Sequence, residues 1–270
     1  MRIAVAQFSA GMNKAANLER IRELTGRAAD AGARVVVFPE GSMCDFGAPT
    51  DDLHDFAEPL DGRFVNTLAT LARRSGLTIV AGMFESIPGE RVIYNSAVVV
   101  DPTNGLIGTF RKRHLFDAFG EIESERFRPG TEDPLMVTID DFKVAVVVCY
   151  DIRFASFIER AADGGAEMLL APAAWVAGPL KEEHLSVLAH ARALDNTIYV
   201  AVGGQIGPSY TGRSVIVDPL GATLAGLGDA EGIAIADVTR ERLQAARKRR
   251  PVIAQRQAAR AAAAAGRSVS

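Results

Sequence analysis

Residues 143–148 read Lys-Val-Ala-Val-Val-Val and stop at Cys149-Tyr150-Asp151. From Val144 to Val148 the run has no polar face. A short valine-rich run of this kind marks a strand covered on both sides, the habit of parallel strands in layered α/β folds. From residue 153 to 162 the spacing turns helical, with Phe154, Phe157, Ile158 and Ala161 on one face. Cys149 therefore stands where a buried strand turns into a helix. Such a junction aims a side chain and a backbone N–H out of a rigid scaffold, which suits a nucleophile. It equally suits a core cysteine, because free Cys is among the most buried residue types.

The rest of the chain repeats one order of elements twice. Residues 3–8 read as a strand, 17–31 as a helix stopped by Gly32, and 35–38 as a strand ended by Pro39. Residues 64–75 follow as a helix stopped by Gly76, then a strand over 77–84. A hairpin joins 95–101 to 106–110 around Thr103-Asn104-Gly105. The second pass starts at the 143–148 strand and the 153–162 helix. It continues through a strand over 167–171 ended by Pro172, a helix over 181–196 and a strand over 198–203. Residues 214–221 then repeat the wording of the earlier hairpin, and 233–238 form a last strand. Two pseudo-equivalent sheets, each covered by a helix pair, predict a four-layer α/β/β/α sandwich over residues 1–238. Residues 239–270, rich in Arg, Lys, Gln and Ala, are expected to form a C-terminal arm, partly on a partner subunit and partly disordered.

Composition removes several functions. The 270 residues carry a net charge of −3, which gives no electrostatic case for nucleic acid or an anionic membrane. No segment approaches the length of a membrane span, and the N-terminal apolar stretch is too short for a signal peptide. Cys44 and Cys149 are the only cysteines, which argues against a disulfide framework and for a reducing, cytoplasmic compartment. His54, His114, His184 and His190 show no paired metal spacing. A papain-like pairing of Cys149 with His114 stays open at this stage.

Glu40, Lys112 and Cys149 share one placement, at or near the end of a buried strand and before a loop. Strand ends of one sheet can converge, and ligand sites in α/β folds gather there. A thiol needs a base, and an attacked carbonyl needs positive charge or N–H donors for its oxyanion. Residues 117–134 form a long loop without apolar periodicity, containing Glu121, Glu123 and Glu125, of the kind that often serves as a lid.

Those residues carry a resemblance. Residues 1 to about 237 resemble the nitrilase superfamily of carbon–nitrogen hydrolases. Val36-Val37-Phe38-Pro39-Glu40 is similar to the stretch holding the family's catalytic Glu, and Phe110-Arg111-Lys112-Arg113-His114-Leu115-Phe116 to that of its Lys. Val148-Cys149-Tyr150-Asp151-Ile152-Arg153-Phe154 is similar to the stretch holding its Cys. Glu123 opens a segment, through Gly130, that looks like the family's lid with its second active-site carboxylate.

The resemblance implies that Glu40 takes the thiol proton, Cys149 attacks an amide carbon, and Lys112 with the Tyr150 N–H holds the oxyanion. It implies a thioester intermediate, no metal or organic cofactor, and a homodimer or higher assembly. Tyr150 stands where nitrile-hydrolysing members carry Trp. Cys-Tyr-Asp-Ile-Arg-Phe is similar to the omega-amidase and deaminated-glutathione amidase group, in which the Arg binds a substrate carboxylate. Arg153 is then the expected carboxylate ligand, although Ala155 replaces that group's Pro. Tyr150 and Trp175 are expected to line the substrate pocket, and residues 205–212 to shape its mouth. The expected function is hydrolysis of a small carboxylate-bearing amide. The alternatives are an N-carbamoyl substrate at the same residues, or a silent member serving as a scaffold.

Overall fold

The computed structural model describes residues 1–118 and 120–267, with side chains through residue 264. Phe119, inside the expected lid, and residues 268–270 of the expected arm lie outside the described residues.

The first half runs β1 (Arg2–Gln7), α1 (Lys14–Asp30), β2 (Val35–Val37), α2 (Arg63–Ser75), β3 (Thr78–Glu85), β4 (Tyr94–Asp101) and β5 (Gly105–Arg111). A short hairpin, β6 (Asp117–Ala118) and β7 (Glu121–Ile122), leads to β8 (Leu135–Ile139) and β9 (Phe142–Val146). Then come α3 (Ala155–Asp163), β10 (Met168–Ala173), α4 (Lys181–Asn196) and β11 (Tyr199–Gly204). A second short hairpin, β12 (Ile206–Gly207) and β13 (Tyr210–Thr211), precedes β14 (Val215–Val217), β15 (Thr223–Gly226) and β16 (Gly232–Asp237). Helices α5 (Arg240–Arg249) and α6 (Val252–Arg267) end the described chain.

Among the described residues, two six-stranded sheets form, ordered β16-β1-β2-β3-β4-β5 and β15-β14-β11-β10-β9-β8. Each has a parallel centre, β1-β2-β3 in one and β9-β10-β11 in the other. Alternation along the strands separates two cores. Ala4, Ala6, Val36, Phe38, Ile79 and Ala81 pack with Ile21, Leu24 and Leu68 of α1 and α2. Ile3, Val5, Val35, Val37 and Val80 turn the other way and join Val144, Val146, Leu170 and Val202 of the second sheet. A period of two with both faces buried is what a layered sandwich requires. Helices α3 and α4 close the far side, giving the four layers in the expected order.

Several boundaries differ from the sequence expectation. Pro172 does not end its strand. β10 runs through it, with Pro172 opposite Gly203 of β11. Its missing N–H is tolerated because β9 pairs with β10 only as far as Val146 opposite Leu170. The helix after Cys149 starts at Ala155; residues Cys149–Arg153 form a single 3₁₀ turn instead. β8 goes unread in the sequence, and it supplies the antiparallel edge beside β9 through a turn at Asp140-Asp141, both with φ above zero. The last strand, β16, crosses to the first sheet and pairs antiparallel with β1, so it plays there the part that β8 plays in the second sheet.

In the described part of the C-terminal segment, α5 and α6 make contacts with their own chain. In α5 Leu243 and Ala246 are buried. In α6 Arg256 Nη2 reaches Asp163 Oδ1 at 2.8 Å, and Arg260 pairs with Glu159 and Asp163 of α3. These arginines were the signal available in a stretch that lacks an apolar face.

Candidate active site

The ends of β2, β5 and β9 place three predicted residues around one cavity. After β2, the Phe38 N–H donates to Val80 O at 2.7 Å, and the chain turns at Pro39-Glu40-Gly41. The close approach of β3 to that turn requires Gly82, since a Cβ there would stand 2.6 Å from Glu40 Cα and 2.6 Å from Gly41 N. Gln205 fixes the turn from the second sheet, its Nε2 donating to Glu40 O at 3.0 Å. After β5, the Lys112 N–H donates to Asn95 O at 2.8 Å, which keeps Lys112 in register beside β4. Arg111 turns the opposite way and pairs with Glu85, as strand alternation predicts.

After β9, the Cys149 backbone takes φ +46°, the left-handed region that non-glycine residues avoid. Such a conformation costs roughly 1–3 kcal/mol and persists only where the surroundings hold it. Asp151 is part of that hold. Its Oδ2 accepts the Val148 N–H at 3.2 Å, and its Oδ1 accepts the His114 N–H at 2.9 Å. Arg192 of α4 completes it, donating to Ile152 O at 2.8 Å and Arg153 O at 3.1 Å.

The polar groups form one network. Lys112 Nζ donates to Glu40 Oε1 at 2.9 Å and to Glu123 Oε2 at 2.7 Å. Asn95 Nδ2 donates to Glu40 Oε1 at 2.7 Å and to Glu123 Oε1 at 2.8 Å. The Ala174 N–H donates to Glu40 Oε2 at 2.7 Å, and the Phe116 N–H to Glu123 Oε2 at 2.6 Å. All four side chains are buried. Burial works against the Lys112 charge, but Glu123, Glu40 and Cys149 outweigh it and hold the ammonium charged well above the ordinary lysine range. Lys112 is thus a cation at neutral pH.

Burial also pushes the Cys149 thiol well above its usual range. The neighbouring Glu40 carboxylate adds to the rise, while Lys112 and the Ala174 N–H oppose it. Cys149 therefore rests as a neutral thiol near Glu40 and Lys112. A carboxylate can take a thiol's proton, and a neighbouring ammonium can balance developing negative charge.

Glu40, Lys112, Glu123, Cys149, Tyr150 and Trp175 all line a cavity of about 300 Å³. Ser209 and Tyr210 of the 205–212 segment line it too. Arg153 is not among the lining residues; its Cζ lies 5.0 Å from the Trp175 ring centroid and 5.6 Å from that of Tyr150. The cations that line the cavity besides Lys112 are Arg126 and Lys181. His114 is committed elsewhere, with Nδ1 2.6 Å from Asp151 Oδ1 and its ring stacked on Phe154. Cys44 is buried near Met12, and burial raises its thiol to about 12.

Sequence reading missed Asn95, Lys181 and Arg192. Asn95 carried a readable signal, an amide at the start of a valine-rich strand, where Asn is disfavoured. Lys181 and Arg192 looked like ordinary charges of a surface helix, because nothing in one sequence says which helix face meets the Cys149 turn.

The carbon–nitrogen hydrolase family model matches residues 2–248. A hydrolase of Mycobacterium tuberculosis is 38% identical over 94% of both chains. The deaminated glutathione amidase of Escherichia coli O157:H7 is 34% identical over 94% of this chain and 96% of its own, and an omega-amidase of Danio rerio is 34% identical over 94% of both. Among solved structures, a mutant of the amidase from Nesterenkonia sp. AN1, with acrylamide added to its active-site cysteine, superposes with a TM-score of 0.80 at 25% identity, covering 95% of this chain and 99% of that one. Matched along nearly its whole length by amidases, this chain is a hydrolase of carbon–nitrogen bonds and belongs to the carbon–nitrogen hydrolase family of the nitrilase superfamily.

Proposed function

We propose that this protein hydrolyses a small linear amide bearing a carboxylate, releasing ammonia and an acid through a thioester on Cys149. The observation that carries the reading is the shared cavity of Glu40, Lys112 and Cys149, with Lys112 pinned between the carboxylates of Glu40 and Glu123. Glu40 takes the thiol proton as Cys149 Sγ attacks the amide carbon. Lys112 and the Tyr150 N–H stabilise the oxyanion. As the C–N bond breaks, Glu40 passes the proton to the departing ammonia. A water, deprotonated by Glu40, then cleaves the thioester and regenerates the thiol. Glu123 touches Lys112 and lines the cavity, so it orients the ammonium and the substrate amide. The carboxylate on the substrate draws support from the relatives named for omega-amidase and deaminated glutathione amidase activity. Ammonia release from a panel of dicarboxylate monoamides, uncharged amides and N-carbamoyl amino acids tests the reading. Turnover led by the monoamides is expected. Turnover confined to the carbamoyl compounds, or to none, would reject it.

A further inference from the structure

The cavity that holds Cys149 has a buried floor and an exposed rim. Glu40, Lys112 and Trp175 line it and are buried, whereas Gly47, Pro49 and Ser209 line it and are exposed. The two sides of the rim come from different sheets. Gly47 and Pro49 belong to the loop that follows β2, while Ser209 and Tyr210 belong to the β12–β13 hairpin that follows β11.

Each side is braced separately. Arg126 Nη1 donates to Phe46 O at 2.9 Å and to Ala48 O at 3.2 Å, and Asp51 Oδ2 accepts the Ala48 N–H at 2.8 Å. The hairpin is fixed to the segment after β10, where the Ala177 N–H donates to Ser209 O at 2.8 Å and the Thr211 N–H to Trp175 O at 2.9 Å. A side-chain bond joins the two sides. Tyr210 Oη donates to Asp45 Oδ1 at 2.7 Å, between residues 165 positions apart in the chain. Burial pushes the Tyr210 phenol above its ordinary range, and the Asp45 charge and the hydrogen bond to it add to the rise. The phenol therefore stays protonated, as a donor, at neutral pH. Tyr210 lines the cavity and Asp45 is not among the lining residues, so Asp45 bears on the cavity through Tyr210.

We propose that the Tyr210–Asp45 hydrogen bond is a clasp that fixes the width of the rim and so sets the size of the amide that reaches Cys149. Closed, the clasp admits small linear amides. Opened, it lets the loop after β2 and the β12–β13 hairpin part, and amides with bulkier acyl groups enter. Tyr210 is the specificity-determining residue, and Asp45 is a positioning residue that acts through it. The substrate class rests on the amidase reading, but the width of the rim can be measured on the Cys149 thiol without turnover.

The rates of Cys149 alkylation by iodoacetamide and by its N-benzyl derivative test the clasp. The two reagents share a reactive group and carry no charge, but differ in bulk. Peptide mass spectrometry separates Cys149 from Cys44. A hydrogen bond to a charged acceptor is strong enough to shift an open–closed equilibrium by about tenfold or more. Tyr210→Phe and Asp45→Ala are therefore each expected to raise the ratio of the benzyl rate to the parent rate by about tenfold. They lie on opposite sides of the rim, so one covers a failure of the other to fold. Asp45→Asn keeps an oxygen acceptor and is expected to restore most of the native ratio. An unchanged ratio in a folded Tyr210→Phe or Asp45→Ala protein, both rates rising by the same factor, or Asp45→Asn matching Asp45→Ala would overturn the clasp. Ammonia release by the unmodified enzyme judges the amidase reading separately, so the two can fail independently.

Discussion

Asn95 Nδ2 stands 2.7 Å from Glu40 Oε1 and also reaches Glu123 Oε1 at 2.8 Å, so one neutral amide bridges the two carboxylates that flank Lys112. Hydrogen bonds to charged groups contribute roughly 1.5–3 kcal/mol each. Asn95→Ala is expected to lower kcat/KM by about a hundredfold or more. Asn95→Asp is expected to be worse, because a third carboxylate would repel the first two, and its acidic limb of activity should move to higher pH. Steady-state kinetics across pH with a dicarboxylate monoamide checks both. Near-normal activity in Asn95→Asp would show that the bridge is dispensable.

Lys112→Met should leave Glu40 and Glu123 buried without their cation. Breaking a buried pair on one side costs about 3–5 kcal/mol. The pH dependence has a definite sign. The folded pKa of Lys112 lies above its unfolded value, so its contribution is complete below the unfolded lysine value of 10.5 and declines as pH rises through the folded one. Urea unfolding should show a stability gap between Lys112→Met and the unmodified protein that is flat from pH 7 to 9 and narrows above 10.5. A gap that widened there would contradict the ion-pair account.

Glu40→Gln is expected to abolish turnover yet make Cys149 easier to ionise. The Glu40 carboxylate holds the thiol up, so removing its charge lowers the Cys149 pKa toward the value favoured by Lys112. The pH profile of alkylation by iodoacetamide, followed by mass spectrometry at Cys149, should shift to lower pH. A shift upward would mean that Glu40 does not face the thiol.

Gly82→Ala tests the scaffold rather than the chemistry. The added methyl would meet Glu40 Cα and Gly41 N, both backbone atoms, at 2.6 Å. Overpacking of this kind costs about 1–3 kcal/mol. Activity should fall more than tenfold through displacement of Glu40, with the folded circular dichroism spectrum retained. Full activity would show that the Glu40 turn has slack.

The parts legible in the sequence are those that short-range physics decides. Valine runs around Val36, Val99 and Val146 announced strands buried on both faces, and the duplicated order of elements implied two sheets. Cys149, Lys112 and Glu40 could be singled out because each lies at or near the end of a strand and before a loop. What could not be read depends on contacts distant in sequence. β16 reaches β1 across more than 220 residues, pairing Gln7 with Gly232. Asn95 becomes a bridge only when the β3–β4 register brings it beside Glu40. Arg153 carries the sequence mark of a carboxylate ligand, and its guanidinium lies over the Tyr150 and Trp175 rings, both of which line the cavity.

The central claim is that Cys149 forms a covalent acyl intermediate. Acid quenching of the enzyme within the first turnovers of a dicarboxylate monoamide, followed by intact and peptide mass spectrometry, tests it most directly. The account predicts an adduct on Cys149 equal to the substrate less ammonia, absent from Cys149→Ala, which should also release no ammonia above background. Steady ammonia release by a folded Cys149→Ala protein, or an adduct carried by another residue, would contradict it.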